Sequence, residues 1–216
     1  MFNVIYADPP WAFRNKKTGG SHTSGSAQHY AVLPTAQIRD VSLARIRDQD
    51  AVLYLWVPSS MLEDGLSVLK AWGFTYKTLL VWRKVRSGGK LGIGYWYRNA
   101  LEVLLFGVRG SVKAFRSKVE NHLNASVLPH SSKPVEVYRM IEEATAGMLE
   151  PRYLELFARE HPSNWVGVGL EADGTDLTDP EWFRHLRETP RESVEGISPR
   201  PAQQALEAGG ESGEQS

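Results

Sequence analysis

Asp8, Pro9, Pro10 and Trp11 stand directly after the segment Phe2-Asn3-Val4-Ile5-Tyr6-Ala7. A carboxylate, two carbonyls on residues without an N–H, and a large aromatic plane therefore fall within four positions. Successive prolines fix the backbone and supply no donors, so their carbonyls are expected to be free to face a ligand. Such a group suits methylation of an exocyclic amine. The amino nitrogen of adenine is a poor nucleophile because its lone pair is delocalised into the ring. If Asp8 and the Pro9 carbonyl each accept one of its N–H bonds, the nitrogen is drawn towards a tetrahedral form and its lone pair is released. Trp11 is expected to stack on the base, a contact worth roughly 1–3 kcal/mol. The plain structural alternative is a strand-ending turn with a core Trp.

The elements that must position this group follow from the pattern of the chain. Residues 2–7 are mostly apolar and β-forming and read as a buried strand ending at the prolines. Ala51–Val57 is a continuous apolar run that suits a central strand covered on both faces. Ser59 and Ser60 are read as caps of a helix running to about Trp72 and closed by Gly73, before a strand over 74–82. Further strands are expected over 101–108, 152–158 and 165–169, with helices over roughly 35–46, from Ser132 to about Thr145, and over 180–187. Ser132 is the expected N-cap of the middle one, with Pro134 in its first turn. Trp56, Trp72 and Trp82 read as core, Glu102 as a surface glutamate in preference to an anchor of the loop before it, and residues 109–130 as irregular or a small hairpin. The alternation implies an α/β protein: a Rossmann-like, doubly wound, mostly parallel sheet with helices on both faces. In such sheets ligands bind beyond the carboxyl ends of the strands, where Asp8 falls.

The formal charge is zero over 216 residues, but it is unevenly spread. Residues 1–170 carry 21 Lys/Arg against 14 Asp/Glu, whereas residues 171–216 carry 4 against 11. A basic body suits a polyanion, and the cations cluster: Arg14, Lys16 and Lys17; Arg83, Lys84, Arg86 and Lys90; Arg109, Lys113, Arg116 and Lys118. Residues 12–31 form a polar loop read as a lid, in which Tyr30 is either a second aromatic wall for the base or a loop anchor. Residues 83–98 are basic and Gly-rich. Tyr95, Trp96 and Arg98 offer aromatic and cationic surface to an unstacked strand. Ser132 and Lys133 at a helix start suit an anion, and Glu171, beyond the last strand, suits ribose hydroxyls. The chain has no Cys, which excludes disulfides and thiolate metal sites. It shows neither a signal-like start nor an apolar run of membrane-spanning length, so a cytoplasmic location is expected. The organisation expected is one domain over 1–187 and a disordered acidic tail over 188–216.

These residues together resemble the Asp-Pro-Pro-Trp family of S-adenosylmethionine-dependent N6-adenine methyltransferases, whose eukaryotic relatives methylate mRNA. The likeness covers most of residues 2–171. Its motifs are Asp8-Pro9-Pro10-Trp11, His29-Tyr30, Leu55-Trp56-Val57, Gly94-Tyr95-Trp96 with Glu102, Ser132-Lys133-Pro134, and Glu155-Leu156-Phe157-Ala158-Arg159 followed by Asn164-Trp165. The catalytic motif precedes the cofactor segment, as in the permuted order of many bacterial DNA amino-methyltransferases. The resemblance implies S-adenosylmethionine as cofactor. It places Lys133 at the methionine carboxylate, with Asp8, Glu155, Leu156, Phe157, Arg159 and His161 around the cofactor. Tyr30 matches an active-site-loop aromatic. Where the family often has Asn, this chain has Leu170, so the ribose contact passes to Glu171. The family's upstream Asp for the cofactor adenine has no counterpart, and Asp176 is a permuted substitute.

The compact form favours DNA over RNA, and the flipped base would enter between Trp11 and Tyr30. No metal is required, because a sulfonium already activates the methyl group. Permuted relatives often pair, which makes a homodimer an expectation. The competing readings are an RNA N6-adenosine methyltransferase, an N4-cytosine DNA methyltransferase, and a silent nucleic-acid-binding subunit. Silent members lose the Asp or Trp of the motif, and both are present here.

Overall fold

The computed structural model of the chain describes residues 1–12, 32–86, 88, 96–115, 118–127, 132–184 and 186. Tyr30 with most of the expected lid, Tyr95 with most of the Gly-rich loop, and the acidic tail from 187 lie outside the described residues. Seven strands form one sheet: β1 (Phe2–Ala7), β2 (Arg47–Pro58), β3 (Thr75–Val85), β4 (Leu101–Arg109), β5 (His122–Ser126), β6 (Tyr153–Leu156) and β7 (Trp165–Val168). Their order is β5-β3-β4-β2-β1-β6-β7. β4 runs antiparallel to its neighbours β2 and β3, and every other pairing is parallel. The expected mostly parallel α/β architecture is therefore present, with one reversed strand.

Alternation along the central strands divides the core in two, because successive side chains leave opposite faces of a strand. Ile5, Ala7, Leu53, Leu55 and Val57 pack on one face with α1 (Thr35–Asp40), α2 (Leu62–Ala71) and the segment carrying Leu177, Trp182 and Phe183. Val4, Tyr6, Val52, Tyr54 and Trp56 pack on the other, against Val137 and Ile141 of α3 (Glu136–Thr145). The run from Ala51 to Val57 is apolar throughout because both of its faces are covered. Trp56, Trp72 and Trp82 are core residues as expected, and each buried indole N–H has an acceptor: Tyr6 Oη at 2.7 Å, Ile38 O at 3.0 Å and Ala125 O at 3.0 Å. Burial without those partners would cost about 1–3 kcal/mol each.

Several boundaries differ from the sequence reading, each for a local reason. α1 stops at Asp40 because Val41 is extended and turns its N–H back to Ile38 O. Ser59 and Ser60 form a short 3-10 turn and cap nothing; α2 starts at Leu62. Ser132 is likewise no cap. Pro134 disfavours the helical conformation at Lys133, so α3 begins only at Glu136, with Val135 at the N-cap. β3 extends to Val85, which places Arg83 and Lys84 in the strand. The stretch read as irregular contains β5, which adds to the edge of β3 over Val81–Val85. Of the helix expected at 180–187, residues 181–183 form a turn, with Asp179 Oδ1 accepting the Glu181 N–H at 2.8 Å. No helix among the described residues is long and apolar enough to cross a membrane.

Candidate active site

β1 lies between β2 and β6, pairing Ala7 with Leu55 on one side and Leu156 on the other. The chain leaves β1 towards β2 and returns on the opposite flank as β6, so the strand order reverses at this point. Asp8 emerges into the crevice at the carboxyl end of β1, where such a reversal opens a ligand site. β4 runs the other way, so its first residues reach the same end of the sheet, with Glu102 paired to Pro58 and Trp82.

Four charged side chains converge here. Lys133 Nζ lies 2.5 Å from Asp8 Oδ2 and 3.4 Å from Glu102 Oε2. Lys84 Nζ is hydrogen-bonded to Glu102 Oε1. The Lys133 ammonium also sits 5.4 Å from the Trp56 ring centroid, and that of Lys84 5.1 Å from the Trp82 ring. The Asp8 side chain is 26% exposed and that of Lys133 11%. Burial lifts the Asp8 carboxyl above the usual carboxylate range; Lys133 pulls against this without cancelling it, and Glu102 adds to it. Burial alone would pull Lys133 down, but Asp8 and Glu102 outweigh it and hold the ammonium above its ordinary value. Burial likewise acts to raise Glu102, and Lys133 and Lys84 overcome it and leave that carboxyl lower than usual. The result is a partly buried set of two cations and two anions, in which Asp8 is shifted towards its protonated form and Glu102 away from it.

Pro9 and Pro10 differ from expectation. The Pro9 carbonyl accepts the Trp11 N–H at 2.9 Å, and the Pro10 carbonyl accepts the Leu33 N–H at 2.7 Å. Neither is free, although a carbonyl oxygen keeps a second lone pair. Trp11 is 6% exposed, lies in the core, and donates its indole N–H to Trp56 O at 2.9 Å. Any surface it presents to a base lies within that 6%.

The residues expected around the cofactor gather at the exits of β6 and β7. Glu155 is buried, opposite Tyr6, and accepts a hydrogen bond from Tyr138 Oη at 2.9 Å. Burial pushes its carboxyl up to about 8, with Asp8 adding to the rise and Tyr138 opposing it. Burial also raises the Tyr6 and Tyr138 hydroxyls, which stay protonated. Leu156 is fully buried and offers only backbone; its carbonyl accepts the Asp8 N–H at 3.4 Å. Phe157 follows at φ 60°, a left-handed conformation that bulky residues adopt only under constraint, and such outliers cluster at functional sites. Arg159 Nε stands 3.2 Å from Glu171 Oε1, so both reach one place from two strand ends. His161 packs its ring over Gly167, where an added Cβ would lie 2.0 Å from the ring, and its Nδ1 is 3.0 Å from Pro162 O. Asp176 is exposed, and its Oδ1 accepts from the Thr178 N–H and hydroxyl at 2.9 and 2.7 Å, which lowers its carboxyl. That makes it the cap of a local turn.

S-adenosylmethionine carries an α-ammonium, an α-carboxylate and ribose hydroxyls. The groups present match these: Lys133 donates to a carboxylate, Asp8 accepts from an ammonium, and the Arg159–Glu171 pair suits hydroxyls. The substrate side is less complete. Trp96 and Tyr97 are 94% and 90% exposed, beside exposed Arg98. Sequence reading missed Lys84 and Tyr138 as members of the site, and took Glu102, present in the family motif, for a surface glutamate. Glu102 is not a surface glutamate but is held between two lysines. Lys84, counted above among substrate-facing cations, points to Glu102. Antiparallel pairing of β4, which brings Glu102 to the active end, has no signal in the local sequence.

The MT-A70 family model matches residues 2–171. The chain is 30% identical over 190 residues to the human (Homo sapiens) N(6)-adenosine-methyltransferase catalytic subunit METTL3, and 31% identical over 190 residues to the Danio rerio N(6)-adenosine-methyltransferase subunit METTL3. Both matches take in 83% of this chain and 30% of the relative, so the chain spans less than a third of their length. The type II methyltransferase M.MunI of Mycoplasma sp is 26% identical over 197 residues, covering 83% of this chain and 81% of that protein.

Proposed function

The chain belongs to the MT-A70 family, and from that membership and the geometry at Asp8 we propose that it is an adenine-N6 methyltransferase. The observation that carries this is a carboxylate at the carboxyl end of the central strand, beside a proline carbonyl and backed by a partly buried lysine. When bound, S-adenosylmethionine supplies a methyl group activated by its sulfonium. Its binding site takes in Asp8, Lys133, Glu155, Phe157, Arg159, His161, Glu171 and Asp176, with fully buried Leu156 offering only backbone. Lys133 and Asp8 answer its charged amino-acid end, and Arg159 and Glu171 its ribose.

Asp8 accepts one N–H of the target amine, and the Pro9 carbonyl accepts the other with the lone pair not engaged by Trp11. Together they hold the nitrogen with its lone pair facing the cofactor side. The proton the nitrogen sheds passes to Asp8, whose raised affinity for protons suits that role, or to water. Trp11 shapes the floor beneath the motif. Tyr30 and Tyr95 are assigned to the substrate by the family resemblance, and Trp96 and Arg98 take unstacked bases and backbone phosphate. We take DNA as the substrate: the body is basic, the motif order is permuted, and the match to a type II methyltransferase runs along most of that protein's length. The methyltransferase domain is taken as residues 1–187, and the chain acts in the cytoplasm, as a homodimer where it pairs.

The test is methyl transfer from labelled S-adenosylmethionine to duplex DNA and to single-stranded RNA, with the product nucleoside identified. N6-methyladenine is expected, chiefly in DNA. Asp8→Ala should lower turnover by on the order of 100- to 10,000-fold. Retained turnover in Asp8→Ala, or a methylated cytosine product, defeats the assignment.

A further inference from the structure

Lys133 has one ammonium group and two carboxylates within reach, Asp8 at 2.5 Å and Glu102 at 3.4 Å. The reading above, on which this inference rests, needs Asp8 to accept a hydrogen bond from a target amine. In the structure Asp8 Oδ2 is already taken by Lys133. A target amine that reaches the same oxygen competes with Lys133 for it, and the next acceptor for the ammonium is in place. We propose that Glu102, fixed by Lys84, is a second seat for the Lys133 ammonium, occupied when a target amine replaces Lys133 on Asp8. Lys84 and Glu102 are then positioning residues, acting through Lys133.

The surroundings allow such a shift and limit it. The lysine stem is flexible, and its head lies over the Trp56 ring, so the ammonium keeps an aromatic face beneath it while moving. Trp56 and Trp82 meet edge to face at 6.1 Å, so Lys133 and Lys84 rest on a common aromatic floor. Lys84 grips Glu102 Oε1 and leaves Oε2 turned to Lys133. No proton moves in the exchange, because Lys133 remains an ammonium in both seats. Once it has left, Asp8 is a stronger proton acceptor, which is what the nitrogen requires after methylation.

Asp8 is faced by Lys133 from the segment before α3, Glu102 from β4, Arg159 and Glu155 from β6 and its exit, Tyr138 from α3, and Tyr6 from its own strand. Its titration can be followed by carbon NMR of labelled aspartate in the whole protein, without substrate. Glu102→Gln strips the second seat of its charge. Asp8 should then titrate lower, and KM for the target should rise on the order of tenfold, the worth of one well-made hydrogen bond. Lys84→Met leaves Glu102 leaning on Lys133 alone, so Asp8 should titrate higher; Lys84→Arg, which keeps the charge, should bring it back towards wild type. In a Glu102→Gln background, Lys84→Met should add nothing, because Lys84 acts only through Glu102. An undiminished effect of Lys84→Met in that background, or a target KM unchanged in Glu102→Gln, overturns the proposal. If these titrations behave as expected in a protein that never methylates adenine, the functional reading alone is overturned.

Discussion

Glu155→Gln should remove a fall in stability between acid and alkaline pH. Glu155 is buried beneath Asp8, and its carboxyl is pushed from an ordinary 4.5 to about 8, chiefly by burial. The folded chain therefore holds this proton where the unfolded chain has lost it. Stability associated with the group is complete below about pH 4.5 and declines as pH rises through about 8. At ~1.4 kcal/mol per pH unit the full interval corresponds to about 5 kcal/mol, and coupling to Asp8 and Tyr138 makes about 2–5 kcal/mol the expected range. Glutamine keeps an oxygen for the Tyr138 hydroxyl but adds buried amide protons, which costs about 1–3 kcal/mol at every pH. Urea unfolding at pH 5 should accordingly find the variant weaker than wild type, and at pH 9 stronger, with the curves crossing between. Thermal midpoints should differ by on the order of 5–15 °C at the alkaline end. Curves that stay parallel from pH 5 to 9 would refute the claim that Glu155 is folded with its proton on.

Lys133→Met leaves Asp8 and Glu102 facing each other, and breaking a buried ion pair typically costs about 3–5 kcal/mol. The gap to wild type should hold at neutral pH. It should close above about pH 10.5, where the raised lysine loses its proton, and narrow in acid, where Glu102 gains one; a gap independent of pH would assign the loss to packing. Gly167→Ala should destabilise by about 1–3 kcal/mol through overpacking against the His161 ring. His161→Ala should recover most of that in the double variant, and calorimetry with S-adenosylmethionine would show whether displacing the ring also weakens cofactor binding.

Much of the site was legible in local sequence because each signal lay within a few residues. A β-forming run stopped by two prolines places Asp8 at a strand end without reference to any other element. The unbroken apolar stretch from Ala51 to Val57 requires a strand covered on both faces, and the strand–helix alternation gives the fold class. Helix starts read less well. Serines before an apolar segment predict caps, whereas at Lys133 the following proline excludes the helical conformation and moves the start to Glu136.

Partnership between distant charges was decided only by the folded chain. Lys84, Glu102, Lys133 and Asp8 are spread over 125 residues, and their spacing gives no hint that they meet. They meet because β4 inserts antiparallel between β2 and β3, bringing its first residues to the end where β1 delivers Asp8. Likewise the sequence shows Trp11 only as an aromatic beside a carboxylate, and burial on one sheet face with its indole N–H on the Trp56 carbonyl places it in the core. Local propensity acts over a few residues and determines elements and their ends. Which side chains neutralise one another depends on strand order and direction, and those follow from burial of the whole sheet.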